Sequence, residues 1–486
     1  MKSGKDTGLT APAGRGASPL PTPPAPDGHA TRDKWIIPAL VWVLRVVVGA
    51  TFVFSGWVKA IDPWGTLYKL TEYFAAMGMT MPHEVTLIAS CLLAAVEFTV
   101  GVMLIFGIAR RVSAWLTLAF MAVMTPITAW IFIADPVSDC GCFGDAVILS
   151  NGATFAKNIL LLAASIALVL FNRRAITLVS RRLQWIAIVV SVLYPAYLSA
   201  YGYLVQPLVD FRPYKVGEPL LDDTDGTEGL QFVYSKDGIE QTFTVDNLPD
   251  DSWEFVSRTD PKPQPGAKQF AIMDQDGTDV SYDLVAATKT AADATGGQDE
   301  EAPAPDAGLL LYCISDTGAY GLSRSRQANE LYDYITDRGG EMVAVIPATA
   351  DPEAWGETVT AKYPVYTADD TDIKALARGH AALVYVSDGV IKWKYNMFDI
   401  SPELPRDNGT GADNGNILND MPPAEKSSLL ITATALPAAV MLVLTALTLL
   451  PAAMRRNGRK QDGEKDGENP GEKPGEKHVA SVGKNA

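Results

Sequence analysis

Two cysteines stand one glycine apart in the run Asp139-Cys140-Gly141-Cys142-Phe143-Gly144-Asp145. Thiols at that spacing can work as a dithiol–disulfide couple. Closing a disulfide across a single residue demands tight backbone geometry, and Gly141 tolerates such geometry better than any other residue. A strained disulfide is more oxidising and tends to be labile or catalytic. The same residues also admit three plainer readings: an inert structural disulfide, a soft-metal ligand pair, or two free thiols in a tight turn. Metal is disfavoured, because two thiolates need further ligands and the sequence offers no neighbouring His or Met cluster. The four histidines (His29, His83, His380, His478) are scattered, which argues against a histidine metal centre. Of the other two cysteines, Cys91 reads as packing or as a third thiol close to the pair. Cys313, inside an apolar run, reads as a buried, redox-silent residue.

Two further residues sit where charge is costly. Arg45 and Glu97 fall in the middle of the first and second apolar stretches. Counted from the ends expected to be cytoplasmic, they lie roughly 14 and 18 Å deep at 1.5 Å per residue. Matching depths predict an intramembrane ion pair between antiparallel neighbours, either a structural clamp or a proton or quinone device.

The elements that must position these groups are membrane helices. Six stretches are long and apolar enough to span a bilayer, which takes roughly 20 residues: Trp35–Val58, Glu84–Ile108, Ser113–Ala134, Phe155–Phe171, Leu183–Val205 and Leu429–Ala452. Arg32 and Lys34, Arg110 and Arg111, Arg173, Arg174, Arg181 and Arg182, and Arg455, Arg456, Arg459 and Lys460 all fall on one side of a six-span chain. Positive charge marks the cytoplasmic side, so both termini are expected there. The loop Lys59–His83, the cysteine loop and the long segment between the fifth and sixth spans are expected outside, where disulfides persist. No cleaved signal sequence is expected before Trp35. Residues 1–34 and 453–486 are expected to be disordered tails.

The segment between the last two spans carries about 40 of the 56 acidic residues against about 17 basic ones, so the negative charge that gives the chain its net −16 is concentrated there. That excludes nucleic acid as a partner on electrostatic grounds. Short strands are expected at Leu230–Tyr234, Thr242–Val245, Trp253–Val256 and Gln269–Met273, giving a β-rich module over 206–285. A linker follows at 286–306. Over 307–400 the pattern alternates. Strands are expected at Leu309–Ile314, Met342–Pro347, Tyr363–Thr367, Ala382–Val386 and Val390–Tyr395. Helices are expected at Ser323–Arg338, Pro352–Ala361 and Asp372–Ala377. This is an α/β sandwich, followed by a second linker over 401–428.

That order resembles a thioredoxin fold, although Ser315-Asp316-Thr317-Gly318 stands where the family has Cys-x-x-Cys and no proline precedes Ala382. The domain is therefore expected to be redox-silent. Over roughly residues 36–172, Arg45, Gly49, Ser55, Gly56, Lys59 and Asp62, then Glu97, Gly101, Gly107, Arg110 and Arg111, resemble the MauE/DoxX group of membrane proteins. The Cys140-Gly141-Cys142-Phe143-Gly144 run resembles the MauE branch most specifically. A fifth span, Asp210-Phe211-Arg212-Pro213-Tyr214, an outer thioredoxin-like domain and a last helix are similar to DoxX-family proteins of Bacteroidetes. The bundle is also loosely similar to vitamin K epoxide reductase. The resemblance implies a membrane factor for disulfide formation or maturation of exported proteins, as MauE proteins serve methylamine dehydrogenase. Its partners would be an exported client or a partner oxidoreductase and the membrane lipid. Electrons would then pass to a membrane quinone or to a partner protein. A non-catalytic scaffold or a subunit of a respiratory or export complex is the alternative.

Overall fold

The computed structural model describes residues 28–137, 139–171, 177–221, 231–236, 239–244, 253–259, 270–288, 308–318, 324–337, 340–397 and 426–465. Helices α1 (Gly28–Ile61), α3 (His83–Phe106), α4 (Arg110–Ala134), α5 (Asn151–Leu170), α6 (Gln184–Leu204) and α11 (Lys426–Lys465) each hold a stretch long and apolar enough to cross a membrane. Helix α1 packs most closely on α3, and α4 on α5. Small residues allow the first of these contacts. A Cβ on Gly56 would lie 2.4 Å from Phe98 N and 2.7 Å from Ala94 O, and one on Gly101 would lie 2.6 Å from Gly49 O. Helices in lipid approach this closely where glycine faces glycine. The contact fixes the antiparallel register of α1 against α3, with Gly49 level with Gly101.

Helix α2 (Pro63–Ala76) interrupts the segment Lys59–His83, which the sequence reading treated as a loop. Its start carries a local signal. The Asp62 carboxylate accepts from Gly65 N at 2.9 Å, and Pro63 occupies the first helical position, where a missing N–H costs nothing.

Beyond α6, strands β1 (Gln231–Lys236), β2 (Ile239–Thr244) and β3 (Glu254–Thr259) form an antiparallel sheet in the order β2-β1-β3. A five-stranded mixed sheet follows, ordered β6-β5-β4-β7-β8. It contains β4 (Gly308–Ile314), β5 (Glu341–Pro347), β6 (Val365–Ala368), β7 (Ala381–Ser387) and β8 (Val390–Asn396), with β4, β5 and β6 parallel and β7 and β8 antiparallel to their neighbours. Alternate residues of β4 serve two cores. Leu309, Leu311 and Cys313 pack with Phe270, Ile272 and α10 (Asp370–Leu376). Leu310, Tyr312 and Ile314 pack with α8 (Ser325–Thr336) and α9 (Pro352–Val359).

Three expectations differ. Gln269–Met273 was assigned to the β-rich module; within it, Phe270 and Ile272 are buried in the mixed-sheet core and Met273 bridges to Thr367. Tyr214, Leu220, Leu221 and the short helix α7 (Ser281–Ala286) join that core too, so much of 206–285 belongs to the α/β unit. Helix extends into both segments expected to be tails. Residues 28–34 already belong to α1, and α11 continues to Lys465, because Arg, Lys, Gln and Glu propagate a helix already nucleated in the apolar span. Residues 1–27 and 466–486, and most of both expected linkers, lie outside the described residues.

Candidate functional site

The cysteines occupy the loop from α4 to α5, and both ends of that loop are tied down. Asn151 Nδ2 donates to Asp135 Oδ1 at 2.8 Å and to Val137 O at 3.0 Å. Ser150 caps α5 by accepting from Ala153 N. Within the loop, Gly141 adopts φ +61° and Gly144 φ +50°, a left-handed conformation that a side chain resists. A Cβ on Gly141 would also come within 3.0 Å of Lys69 Cγ. The bend sets Cys140 Sγ 3.0 Å from Cys142 Sγ. Both are free cysteines, about 1 Å beyond disulfide bonding distance.

The bundle grips the loop by its backbone carbonyls. Ser55 Oγ donates to Cys142 O at 2.6 Å, and Lys59 Nζ donates to the same oxygen at 2.7 Å. Lys59 also donates to Ser55 Oγ at 2.7 Å and pairs with Glu97 at 2.8 Å. From α2, the Tyr73 hydroxyl donates to Cys140 O, and Lys69 pairs with Asp139 at 2.8 Å. Phe143 packs on Phe54 and lies under the Lys157 ammonium, 4.1 Å from the ring centre.

The two sulfurs are not equivalent. The Cys142 thiol is drawn well below the usual thiol range, first by the hydrogen bond from Cys140 and then by the Lys157 and Lys59 charges, against burial and Glu97. The Cys140 thiol is raised, chiefly by that same hydrogen bond and by burial. The Lys157 and Lys59 charges therefore favour Cys142 as the more acidic thiol and Cys140 as the one that keeps its proton, as expected when two close groups share one proton. Cys142 also lines a cavity of about 30 Å³ with Thr51, Glu97, Phe120, Lys157 and Asn158, and Cys140 does not. That space suits one or two water molecules and is too small for a quinone ring.

The α/β unit reaches the same place. Arg378, in the turn before β7, is buried and donates to Asp62 Oδ2 from Nη2 at 2.7 Å and from Nε at 3.0 Å. Nη2 donates to Asp145 as well, three residues past Cys142. Gln206 Nε2 donates to Arg378 O at 2.7 Å and to Asn396 Oδ1 at 2.8 Å, locking the turn to β8. Nearby, His83 and His380 face each other with ring centres 4.5 Å apart, and His380 lies 3.3 Å from Asp316. The loop 315–318 abuts α2: Ser315 Oγ donates to Gly379 O at 2.7 Å, and the Tyr68 hydroxyl hydrogen-bonds both Ser315 and Gly379 O.

One sequence expectation fails here, and of the two readings of Cys91 the third-thiol one falls away. Arg45 does not pair with Glu97; its Nε and Nη2 donate to Leu104 O at 2.9 and 2.6 Å, while Glu97 holds Lys59. Counting depth from the apparent helix ends misjudged the register, which the glycine contact sets instead. Leu104 lies two turns from Glu97, and Lys59 about 21 Å along α1 from Arg45. Cys91 does not join the pair. Six residues from Glu97 on α3, it sits about 9 Å along the axis and a third of a turn round, against Ser199 of α6. Cys313 is buried in β4, and burial pushes its thiol up to about 12. Lys59, Ser55 and Asp62 entered the sequence reading only as matched positions. Lys59 carried a usable signal, a lone cation at the end of an apolar span. Lys69, Tyr73, Lys157, Asp145 and Arg378 carried none.

Comparison with known proteins adds two matches. Residues 230–262 match a Domain of unknown function (DUF8463). No curated protein and no solved structure matches the chain. Residues 37–171, which hold the α1–α3–α4–α5 bundle and the cysteine loop, match the family described as Methylamine utilisation protein MauE. With six helices among the described residues apolar enough to cross a bilayer, the chain is an integral membrane protein whose first four such helices are similar to MauE.

Proposed function

We propose that the protein is a membrane thiol–disulfide factor in which Cys140 and Cys142 cycle between dithiol and disulfide to oxidise exported client proteins. The carrying observation is the 3.0 Å approach of the two sulfurs across a left-handed glycine. A thiolate in a client dithiol attacks the Cys140–Cys142 disulfide and forms a mixed disulfide. The second client thiol then resolves it, leaving the client oxidised and the pair reduced. Cys142, as the lower-pKa thiol, is the better leaving group. The basic residues near the helix ends support a topology with both termini in the cytoplasm. That topology puts the cysteine loop and the α/β unit in an oxidising compartment, the bacterial periplasm or its equivalent. The α/β unit, a mixed sheet without a Cys-x-x-Cys, positions clients without exchanging electrons in this reading. A role in methylamine utilisation follows only from the MauE match and is the most specific client assignment open to this reading.

The test is trapping in cells. A Cys142→Ala variant retains the thiol at 140, which can attack the disulfide of an oxidised client, releasing one client thiolate, but has no partner thiol to resolve the product, and is expected to accumulate mixed disulfides with exported proteins. A Cys140→Ser variant should lower the oxidised fraction of those same proteins. Normal client oxidation in both variants refutes the proposal. A membrane-impermeant maleimide that reaches the reduced loop only after the membrane is opened refutes the topology.

A further inference from the structure

A dithiol that oxidises clients must itself be reoxidised, and the surroundings of Cys142 restrict what can do it. We propose that Cys142 reacts with hydrogen peroxide admitted to the cavity it lines, with Cys140 as the resolving thiol. This deepens the redox reading of the same pair by naming its oxidant class.

Three observations carry it. The cavity beside Cys142, about 30 Å³, lies among Thr51, Phe52, Phe120, Met121, Lys157 and Asn158. A hydroperoxide little larger than water fits there; a quinone ring or a protein thiol does not. Only one sulfur of the pair lines the cavity, so the nucleophile and the resolving group are assigned by position. The second sulfur is already 3.0 Å away, so resolution needs no unfolding of the loop. Low-pKa thiols poised beside a resolving cysteine are the ones that peroxide oxidises selectively.

The chemistry balances. The Cys142 thiolate attacks one peroxide oxygen, the O–O bond breaks, and hydroxide departs and takes up a proton to leave as water. Cys142 is now a sulfenic acid, oxidised by two electrons. Cys140 sulfur then attacks Cys142 sulfur and the S–O bond breaks. The hydroxyl leaves with the Cys140 proton as a second water, and the disulfide is formed. Lys157 and Lys59, which already bias Cys142 toward thiolate, supply positive charge beside the departing hydroxide.

The experiment uses the full chain, reduced and reconstituted in lipid nanodiscs, with hydrogen peroxide or a short-chain ubiquinone as oxidant. At pH 6 the pair should react with peroxide about 50-fold faster than free cysteine, whose thiolate fraction there is below ~1%. A Cys140→Ser variant treated with peroxide and dimedone should carry the adduct on Cys142. A rate within threefold of free cysteine, an adduct absent from Cys142, or faster oxidation by the quinone overturns the proposal. Dithiothreitol separates this failure from that of the underlying reading. A pair that exchanges with dithiothreitol yet ignores peroxide sinks only the oxidant, whereas a pair inert to both sinks the redox function as well.

Discussion

Replacing Arg378 with Met tests whether the α/β unit holds the cysteine loop in place. The guanidinium is buried, and burial alone would lower its pKa; Asp62 and Asp145 more than reverse that effect. Removing one partner of a buried ion pair costs about 3–5 kcal/mol, because the stranded charge remains desolvated. Here the low end applies. The Asp62 side chain, 11% exposed, keeps its hydrogen bond from Gly65 N, and Asp145, 36% exposed, can turn to water. A loss of about 3 kcal/mol makes opening of the interface roughly 100-fold more frequent. Amide hydrogen exchange in nanodiscs reads this directly, as faster exchange over 62–68, 140–146 and 378–380 with the mixed sheet unchanged. Adding Asp62→Asn removes the stranded carboxylate and should restore most of the protection. Asp145→Asn alone should cost less than about 1 kcal/mol. Exchange in Arg378→Met within threefold of the parent would refute the clamp.

Other perturbations follow from the same geometry. Lys59→Met strands Glu97 and is expected to cost about 3–5 kcal/mol in detergent unfolding, with Glu97→Gln recovering part of it. Alkylation of Cys142 should rise with pH below the ordinary thiol range near 8.5, since a lowered pKa brings the thiolate in earlier. In Lys59→Met that rise should move to higher pH. Gly56→Ala drives a methyl into the Phe98 and Ala94 backbone, and the loss should be at least about 1–3 kcal/mol in the same unfolding assay. His380 is held down to about 4 by burial and then by His83, so the unfolded chain takes up this proton first as pH falls. The stability it contributes above pH 6.5 should therefore fade between pH 6.5 and 4, and His380→Gln should flatten that part of a melting-temperature profile.

The sequence disclosed what depends on local pattern. Apolar runs of bilayer length locate the six described spans to within a few residues, and the continuous apolar run Leu309–Ile314 marks a strand buried on both faces. The Cys140-Gly141-Cys142 spacing announces a bend that glycine alone takes easily. What stayed hidden depends on register and distance. Arg45 and Glu97 look level when helix ends are counted, because nothing in either helix reveals that Gly49 meets Gly101. Arg378 and Asp62 are 316 positions apart, and an arginine in a polar, acidic segment reads as one more surface charge. Helix α2 was legible in Asp62-Pro63, a cap followed by the residue that best starts a helix, but its half-buried, mixed composition lacked the long apolar stripe that identified its neighbours.

Lys59 shows why the cysteine loop and the helix packing behave as one unit. An ammonium has three N–H donors, and here Glu97, Ser55 Oγ and Cys142 O receive them. The loop carbonyl is thus one of three acceptors that make a buried cation tolerable. If α1 and α3 part, Lys59 loses Glu97; if the loop leaves, Lys59 keeps an unsatisfied donor in a low-dielectric site. Either event is costly, so the close glycine contact between the helices and the placement of Cys142 stabilise each other. A change at Gly49 or Gly101, ten residues before Lys59 and four after Glu97, should consequently alter the pH at which Cys142 is alkylated. A redox pair on an independently hinged loop would show no such dependence.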